Sequence, residues 1–316
     1  MVNPTTPGYW LGLYEKSMPN RLTLEEKLLA ARESGYDFLE LSIDETDEKL
    51  ARLRWTGGER DQALRAIRET GVPIGSICLS GHRKYPMGHP DPAVRVRSME
   101  IMAQTIALAG ELGVRIIQLA GYDVYYGEST AETRARFGEN LHKAVEMAAR
   151  EGVILAFETM ETDFMNTVQK AMRWVEEVGS PYLQVYPDAG NITNAAVAAG
   201  KDVAEDLLAG KNHLAAVHLK ETKPGIFREV PYGAGHVDFG KITDCAWRLG
   251  VRRYLAEFWY DGSDGWRQTI RENDRFLRAF LDKAALENWD SFRYPMDDCN
   301  RRRPAAADAV ITAVRR

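Results

Sequence analysis

The chain has 316 residues, 45% of them hydrophobic and 28% charged, with a formal net charge of −5. That length suits one α/β barrel with a modest tail, and the mildly acidic balance excludes general nucleic-acid binding, which needs a basic face. Three widely spaced cysteines, Cys78, Cys245 and Cys299, exclude a disulfide framework, and no apolar stretch reaches the length of a membrane span.

Along the chain a compact apolar run alternates with an amphipathic stretch. The predicted strands are Trp10–Tyr14, Phe38–Ile43, Pro73–Leu79, Arg115–Ala120, Val153–Glu158, Leu183–Tyr186, Leu214–Leu219 and Tyr254–Glu257. Runs of this kind belong to strands buried on both faces. The predicted helices between them are Leu24–Ser34, Arg60–Thr70, Ala93–Leu112, Thr133–Arg150, Met165–Val178, Val203–Ala209, Phe239–Leu249 and Gly265–Ala284. Glycines 35, 71, 113, 152 and 250 each stand between a helix and the next strand, where a left-handed helix end is needed. Eight strands alternating with eight helices predict a parallel sheet closed by right-handed crossovers, a (β/α)8 TIM barrel over residues 1–285. An open doubly wound sheet is the alternative, but no G-x-G-x-x-G follows a strand. Residues 286–316, with the basic run Arg301-Arg302-Arg303, break the pattern and read as a surface or partly ordered C-terminal extension. The first ten residues lack the charged and apolar regions of a signal peptide, so the expected location is cytoplasmic.

In a barrel the chemistry sits at the C-terminal ends of the strands. Four consecutive predicted strands end in Glu158, Asp188, His218 and Glu257. Any one of them could merely mark a strand leaving the core; four in register point to a metal site. Three carboxylates and an imidazole suit Mn²⁺, Mg²⁺ or Co²⁺, with Zn²⁺ also compatible. Such an ion can hold two adjacent oxygens of a hydroxy-ketone and stabilise an enediolate. Two carboxylates on opposite faces of the carbon would then invert it.

Of the six histidines, His142 reads as a helix-surface or packing residue, His213 lies at the wrong barrel end, and His89 and His236 read as loop residues. His82, Arg83 and Lys84 form a basic cluster after the third strand, and Lys220, Lys223 and Arg228 lie in the Gly-containing loop after His218. The first cluster reads either as solvated charge or as a clamp for a phosphate or sugar hydroxyls; the second lies in a loop that can close over a substrate and exclude water, and its cations join the candidate phosphate-binding set.

At these residues the chain resembles the L-ribulose-5-phosphate (L-xylulose-5-phosphate) 3-epimerases of the xylose-isomerase-like barrels. The matching strings include Gly12-Leu13-Tyr14-Glu15-Lys16, Cys78-Leu79-Ser80-Gly81-His82-Arg83 and Ile117-Gln118-Leu119-Ala120-Gly121-Tyr122-Asp123. They continue with Tyr186-Pro187-Asp188-Ala189-Gly190-Asn191 and Ala216-Val217-His218-Leu219-Lys220-Glu221-Thr222-Lys223-Pro224-Gly225. Coverage runs over residues 9–284. The resemblance implies a metal set at Glu158, Asp188, His218 and Glu257, with Glu158 and Glu257 as the acid/base pair. It implies epimerisation at C3 of a ketopentose 5-phosphate, in catabolism of L-ascorbate or related sugars, by a homodimer or larger homo-oligomer. Glu158-Thr159-Met160-Glu161 departs from the family's Glu-Ile-Met-Asp, and His236 replaces an apolar residue. Competing readings are an epimerase or isomerase for unphosphorylated ketoses, a multi-metal endonuclease of the same superfamily, and a non-catalytic sugar-phosphate binder. The few histidines and acidic balance count against the endonuclease, and the complete acid/base set against the binder.

Overall fold

The structure, a computed structural model, describes residues 8–288. Eight strands, all parallel, run β1 (Trp10–Tyr14), β2 (Phe38–Ser42), β3 (Ile74–Leu79), β4 (Ile116–Ala120), β5 (Ile154–Glu158), β6 (Leu183–Val185), β7 (Val217–Leu219) and β8 (Arg253–Ala256). Neighbours pair in chain order and β1 pairs β8. The remaining seam, β6 against β7, is closed by two parallel bridges, Val185↔Leu214 and Asp188↔His218. The expected (β/α)8 barrel is what the chain forms.

Ten helices are found among the described residues: α1 (Leu24–Glu33), α2 (Asp47–Ala51), α3 (Gly57–Thr70), α4 (Pro92–Leu112), α5 (Ala131–Arg150), α6 (Val168–Val178), α7 (Ala189–Ala199), α8 (Val203–Ala209), α9 (Phe239–Arg248) and α10 (Trp266–Glu287). Two of these, α2 and α7, were not expected from the sequence. Elsewhere two of the larger differences lie at helix starts and have a capping cause. α3 begins three residues early because Thr56 and Glu59 form a capping box, and α6 begins late because Thr167 caps Lys170 N. The five predicted glycines all adopt positive φ. Helix α10 runs past the expected domain boundary at 285, and Asn288 still donates to Asp244 on α9. From residue 289 onward the predicted extension, with Cys299, lies outside the described residues. Among those described, Cys78 and Cys245 are free, and no helix is long and apolar enough to cross a membrane.

The alternation of side chains along each strand divides the core in two. Leu155, Phe157, Val217, Leu219, Tyr254 and Ala256 pack outward against the helices. Tyr14, Phe38, Cys78, Ile116, Ala156, Tyr186, Ala216 and Leu255 pack inside the barrel. Phe38 plugs the N-terminal end. A Cβ on Gly12 or Gly75 would lie 2.2 or 2.3 Å from its ring, so both neighbouring strands need glycine there. At the other end, Glu15 follows β1 and is buried among Lys49 (2.6 Å), Arg52 (2.6 Å) and Lys27 (3.5 Å). It also accepts from Ser42 N, tying β1 to β2.

Candidate metal centre and active site

The inward positions of β5 to β8 carry the four strand-end residues to one point. Glu158 lies two residues beyond inward-facing Ala156, and Glu257 two beyond inward-facing Leu255. His218 lies in β7, paired across the seam with Asp188. One potential ligand atom from each of Glu158, Asp188, His218 and Glu257 lies within 4.8 Å of the others. His218 Nδ1 is 3.0 Å from Glu257 Oε2 and 3.5 Å from Glu158 Oε1. All four residues are buried.

Asp188 has a second role. As N-cap of α7, its Oδ1 accepts from Asn191 N at 2.6 Å, which leaves Oδ2 buried without a protein partner. Thr159 Oγ1 accepts from Asp188 N, so β5 steadies the turn.

A surrounding set was not anticipated from the sequence. Gln118, inward on β4, donates to Glu158 Oε2. Glu40, inward on β2, places Oε1 3.1 Å from His218 Nε2, without the alignment of a hydrogen bond, and accepts from Ser76 Oγ at 2.6 Å. The Tyr186 ring packs edge-on to the imidazole at 4.6 Å. The signal for these was present: in Phe38-Leu39-Glu40-Leu41-Ser42, period two puts Glu40 and Ser42 on the same inward face as Phe38. Strand ends alone do not reveal it.

Charge in this cluster is unbalanced. Burial raises Glu158, with the Glu257 carboxylate adding to the effect, and burial raises Asp188 well above the carboxylate range. Burial pushes Glu257 the same way, but Lys220 and His218 outweigh it and hold this carboxyl below its usual range. His218 is raised because Glu40 and Glu257 overcome the effect of burial. Lys220 is raised likewise, chiefly by Asp188. Four buried carboxyl groups, Glu40, Glu158, Asp188 and Glu257, thus share two basic partners, His218 and Lys220. A divalent ion fits this site on three counts: the missing positive charge, the partnerless Asp188 Oδ2, and the oxygen-rich donor set.

The six basic residues predicted as a phosphate clamp are scattered by the fold. Lys220 belongs to the charge cluster itself, 3.1 Å from Asp188 Oδ1 and 3.0 Å from Asn191 Oδ1. His82 is buried, its Nε2 on the Ser98 carbonyl of α4, and burial lowers its pKa to about 4. A neutral ring committed to a helix is a packing group, so the expected clamp role does not suit it. Lys84 is exposed with its ammonium over Tyr85, and Lys223 is exposed in the turn bridged by Lys223 and Ile226. Only Arg83 and Arg228 turn toward the barrel mouth. Arg83 lies over Tyr125, and Arg228 lies over Trp259 and 3.9 Å from Glu161. Tyr122 donates to Glu161 at 2.6 Å. A cavity of about 370 Å³ beside the cluster is lined by Lys220, Glu257, Phe258, Trp259 and Tyr232, among others. Glu221, buried in the same loop, accepts from the backbone of Gly233 and Val237 and fixes the loop's return toward α9.

This fold and this strand-end donor set define a class of sugar-transforming barrel. The sequence matches the xylose isomerase-like TIM barrel family over residues 28–280. The chain belongs to that family and, within it, to the L-ribulose-5-phosphate 3-epimerases. It is 43% identical over 277 residues to L-ribulose-5-phosphate 3-epimerase UlaE of Escherichia coli, covering 87% of this chain and 96% of that one. It is 45% identical over 286 residues to the putative L-ribulose-5-phosphate 3-epimerase SgbU, also of Escherichia coli, covering 88% and 99%. Among solved structures, an L-ribulose 3-epimerase superposes with a TM-score of 0.71 at 20% identity, covering 91% of this chain and 99% of that one. A D-psicose 3-epimerase superposes with a TM-score of 0.71 at 16% identity, covering 86% and 99%. These two likenesses speak to the fold.

Proposed function

We propose that this protein is a metal-dependent isomerase that inverts C3 of a ketopentose 5-phosphate, interconverting L-xylulose and L-ribulose 5-phosphates. The observation that carries this reading is the pair Glu158 and Glu257. Both approach His218 Nδ1, at 3.5 and 3.0 Å, in one buried cluster with Asp188 at the C-terminal ends of the strands. Identity above 40% over most of the chain to enzymes named for this epimerisation supports the substrate.

Glu158, Asp188, His218 and Glu257 would hold the ion. When bound, a divalent cation supplies a Lewis acid for the two adjacent substrate oxygens and offsets the charge of the enediolate. The chain's own residues move the proton. One glutamate, ionised, takes the proton from C3 as the C3–H bond breaks. The other, protonated, delivers a proton to the opposite face, and the two exchange roles in the reverse direction. Phe258, Trp259 and Tyr232 beside Glu257 limit water around the carbanionic intermediate.

The test is turnover of ketopentose 5-phosphates in heavy water with defined metals, followed by proton NMR. Deuterium at C3 of recovered substrate, abolished by chelation, is the expected result. Deuterium at C1 would instead make this an aldose–ketose isomerase. Glu257→Gln should retain bound metal and lose roughly 10³-fold or more in turnover; an active variant would remove Glu257 from the chemistry.

A further inference from the structure

Arg83 stands apart from the other buried and half-buried cations at the C-terminal end of the barrel. Lys16 pairs with Asp44; Lys27, Lys49 and Arg52 share Glu15; Lys220 pairs with Asp188. Arg83 closes the 3-10 turn Ser80–Arg83 that follows β3, and it is only partly exposed. Among the described residues it has no hydrogen bond or ion pair, and its Nε is buried without a partner. Its one contact of note is the face of Tyr125, 5.3 Å from the guanidinium carbon. A half-buried guanidinium with open donors is costly unless an anion arrives to use them.

The surroundings say where that anion would sit. Tyr125 Oη reaches Glu161 Oε1 at 3.4 Å, and Arg228 reaches the same oxygen at 3.9 Å from the β7 side. Tyr125 and Glu161 thus link the surroundings of Arg83 to those of Arg228, and each guanidinium is backed by an aromatic ring. Glu161, held by Tyr122, is the only carboxylate either arginine approaches within 4 Å among the described residues, and that contact is loose. A planar guanidinium fixed on an aromatic face presents two parallel N–H groups, which matches a phosphate better than a lone hydroxyl.

The geometry points to Arg83 as the residue that selects the phosphorylated over the free sugar, with Arg228 completing the contact. This rests on the sugar-phosphate reading of the site above. Glu161 keeps Arg228 near the mouth while no phosphate is bound, and the substrate's phosphate takes over both arginines. Because the phosphate contact persists from ground state to transition state, its loss belongs in KM more than in kcat.

The experiment compares metal-replete wild type with Arg83→Gln and Arg83→Lys on L-xylulose 5-phosphate and on free L-xylulose, with inorganic phosphate as a competing probe. For Arg83→Gln the expected loss in kcat/KM is roughly 10- to 100-fold on the phosphorylated sugar, mainly through KM, with free-sugar turnover unchanged. Inhibition by inorganic phosphate should weaken in parallel, and Arg83→Lys should recover part of both. Arg83 has no internal ion pair, so the melting temperature of both variants should match wild type and separate this from misfolding. Equal losses on the two sugars would place Arg83 on the sugar hydroxyls and overturn the inference, as would unchanged inhibition by phosphate. If the wild type turned over neither sugar, the epimerase reading would fail by itself. Direct calorimetric titration with inorganic phosphate would then decide: binding lost in Arg83→Gln supports the anion site, and binding retained overturns it.

Discussion

His82 shows how a residue changes meaning between sequence and structure. In sequence it is the first of three basic residues at the active end of β3. In the fold its side chain turns back onto α4, where Nε2 meets the Ser98 carbonyl and burial lowers its pKa to about 4. The sign of the consequence is fixed. The unfolded chain binds a proton near pH 6.5 that the folded chain refuses until about pH 4, so stability is full above pH 6.5 and falls as pH drops through that window. From pH 7 to pH 5 the loss from this one group is about 2 kcal/mol. His82→Gln keeps a donor for Ser98 and cannot titrate. Urea unfolding should therefore show a shallower fall in stability for the variant between pH 6.5 and 4. Parallel profiles for variant and wild type would mean the ring is accessible. Arg83, its neighbour, goes the other way, because the next side chain along the turn faces the mouth. Glu40, Ser76 and Gln118 were equally hard to read as site residues. They are mid-strand polar groups: period two marks them as inward-facing, but their importance depends on what lies across the barrel.

At the scale of elements, the strands were legible because burial on both faces makes each a compact apolar run. Helix α7 was not. Its sequence, Ala189-Gly190-Asn191-Ile192-Thr193-Asn194, mixes glycine, asparagine and β-branched residues in the first turns, which weakens any helical pattern. What starts it is Asp188, whose carboxylate caps Asn191 N. One residue thus follows a strand, begins a helix and offers an oxygen to the site, so the residue was singled out while the helix it caps was missed. Helix α2 was passed over for its five-residue length, although Thr46 caps Lys49 N. At the opposite end, Gly12 and Gly75 reflect a packing demand that composition alone does not show. Both face the Phe38 ring inside the barrel. Gly12→Ala would force its methyl to within 2.2 Å of that ring, and a barrel closed on all sides has little room to yield. The expected cost is about 1–3 kcal/mol, read as a lower urea midpoint at unchanged slope. Phe38→Leu in the Gly12→Ala background should recover part of it, because the pair is in contact.

For the whole molecule, the placement of the site and the stability of the barrel meet at the seam. The sheet is continuous from β6 round through β1 to β7, and the last gap is closed by only two isolated bridges, one of them Asp188↔His218. The two strands flanking it, β6 and β7, are the shortest, three residues each. The barrel and its four strand-end donors were readable from the alternation of elements. That the donors bridge its weakest seam was not, because closure is a property of the ring and not of any segment. An ion held by Glu158, Asp188, His218 and Glu257 would join β5, β6, β7 and β8 across that seam and relieve the excess of buried negative charge. It should therefore stabilise the fold as well as serve the reaction. At 100 times its dissociation constant, a ligand bound only by the folded state adds about 2.7 kcal/mol, a rise of roughly 5 °C in melting temperature for a chain of this size. Chelated protein titrated with Mn²⁺ or Co²⁺ should show this rise. Asp188→Asn preserves a good helix cap for α7 and replaces a buried carboxyl whose Oδ2 has no partner with a neutral amide, so its chelated form should melt close to, or above, chelated wild type. Its metal-induced rise should be much smaller. A full rise in that variant would show that the ion is held elsewhere, and no rise in wild type would show that the seam closes without one.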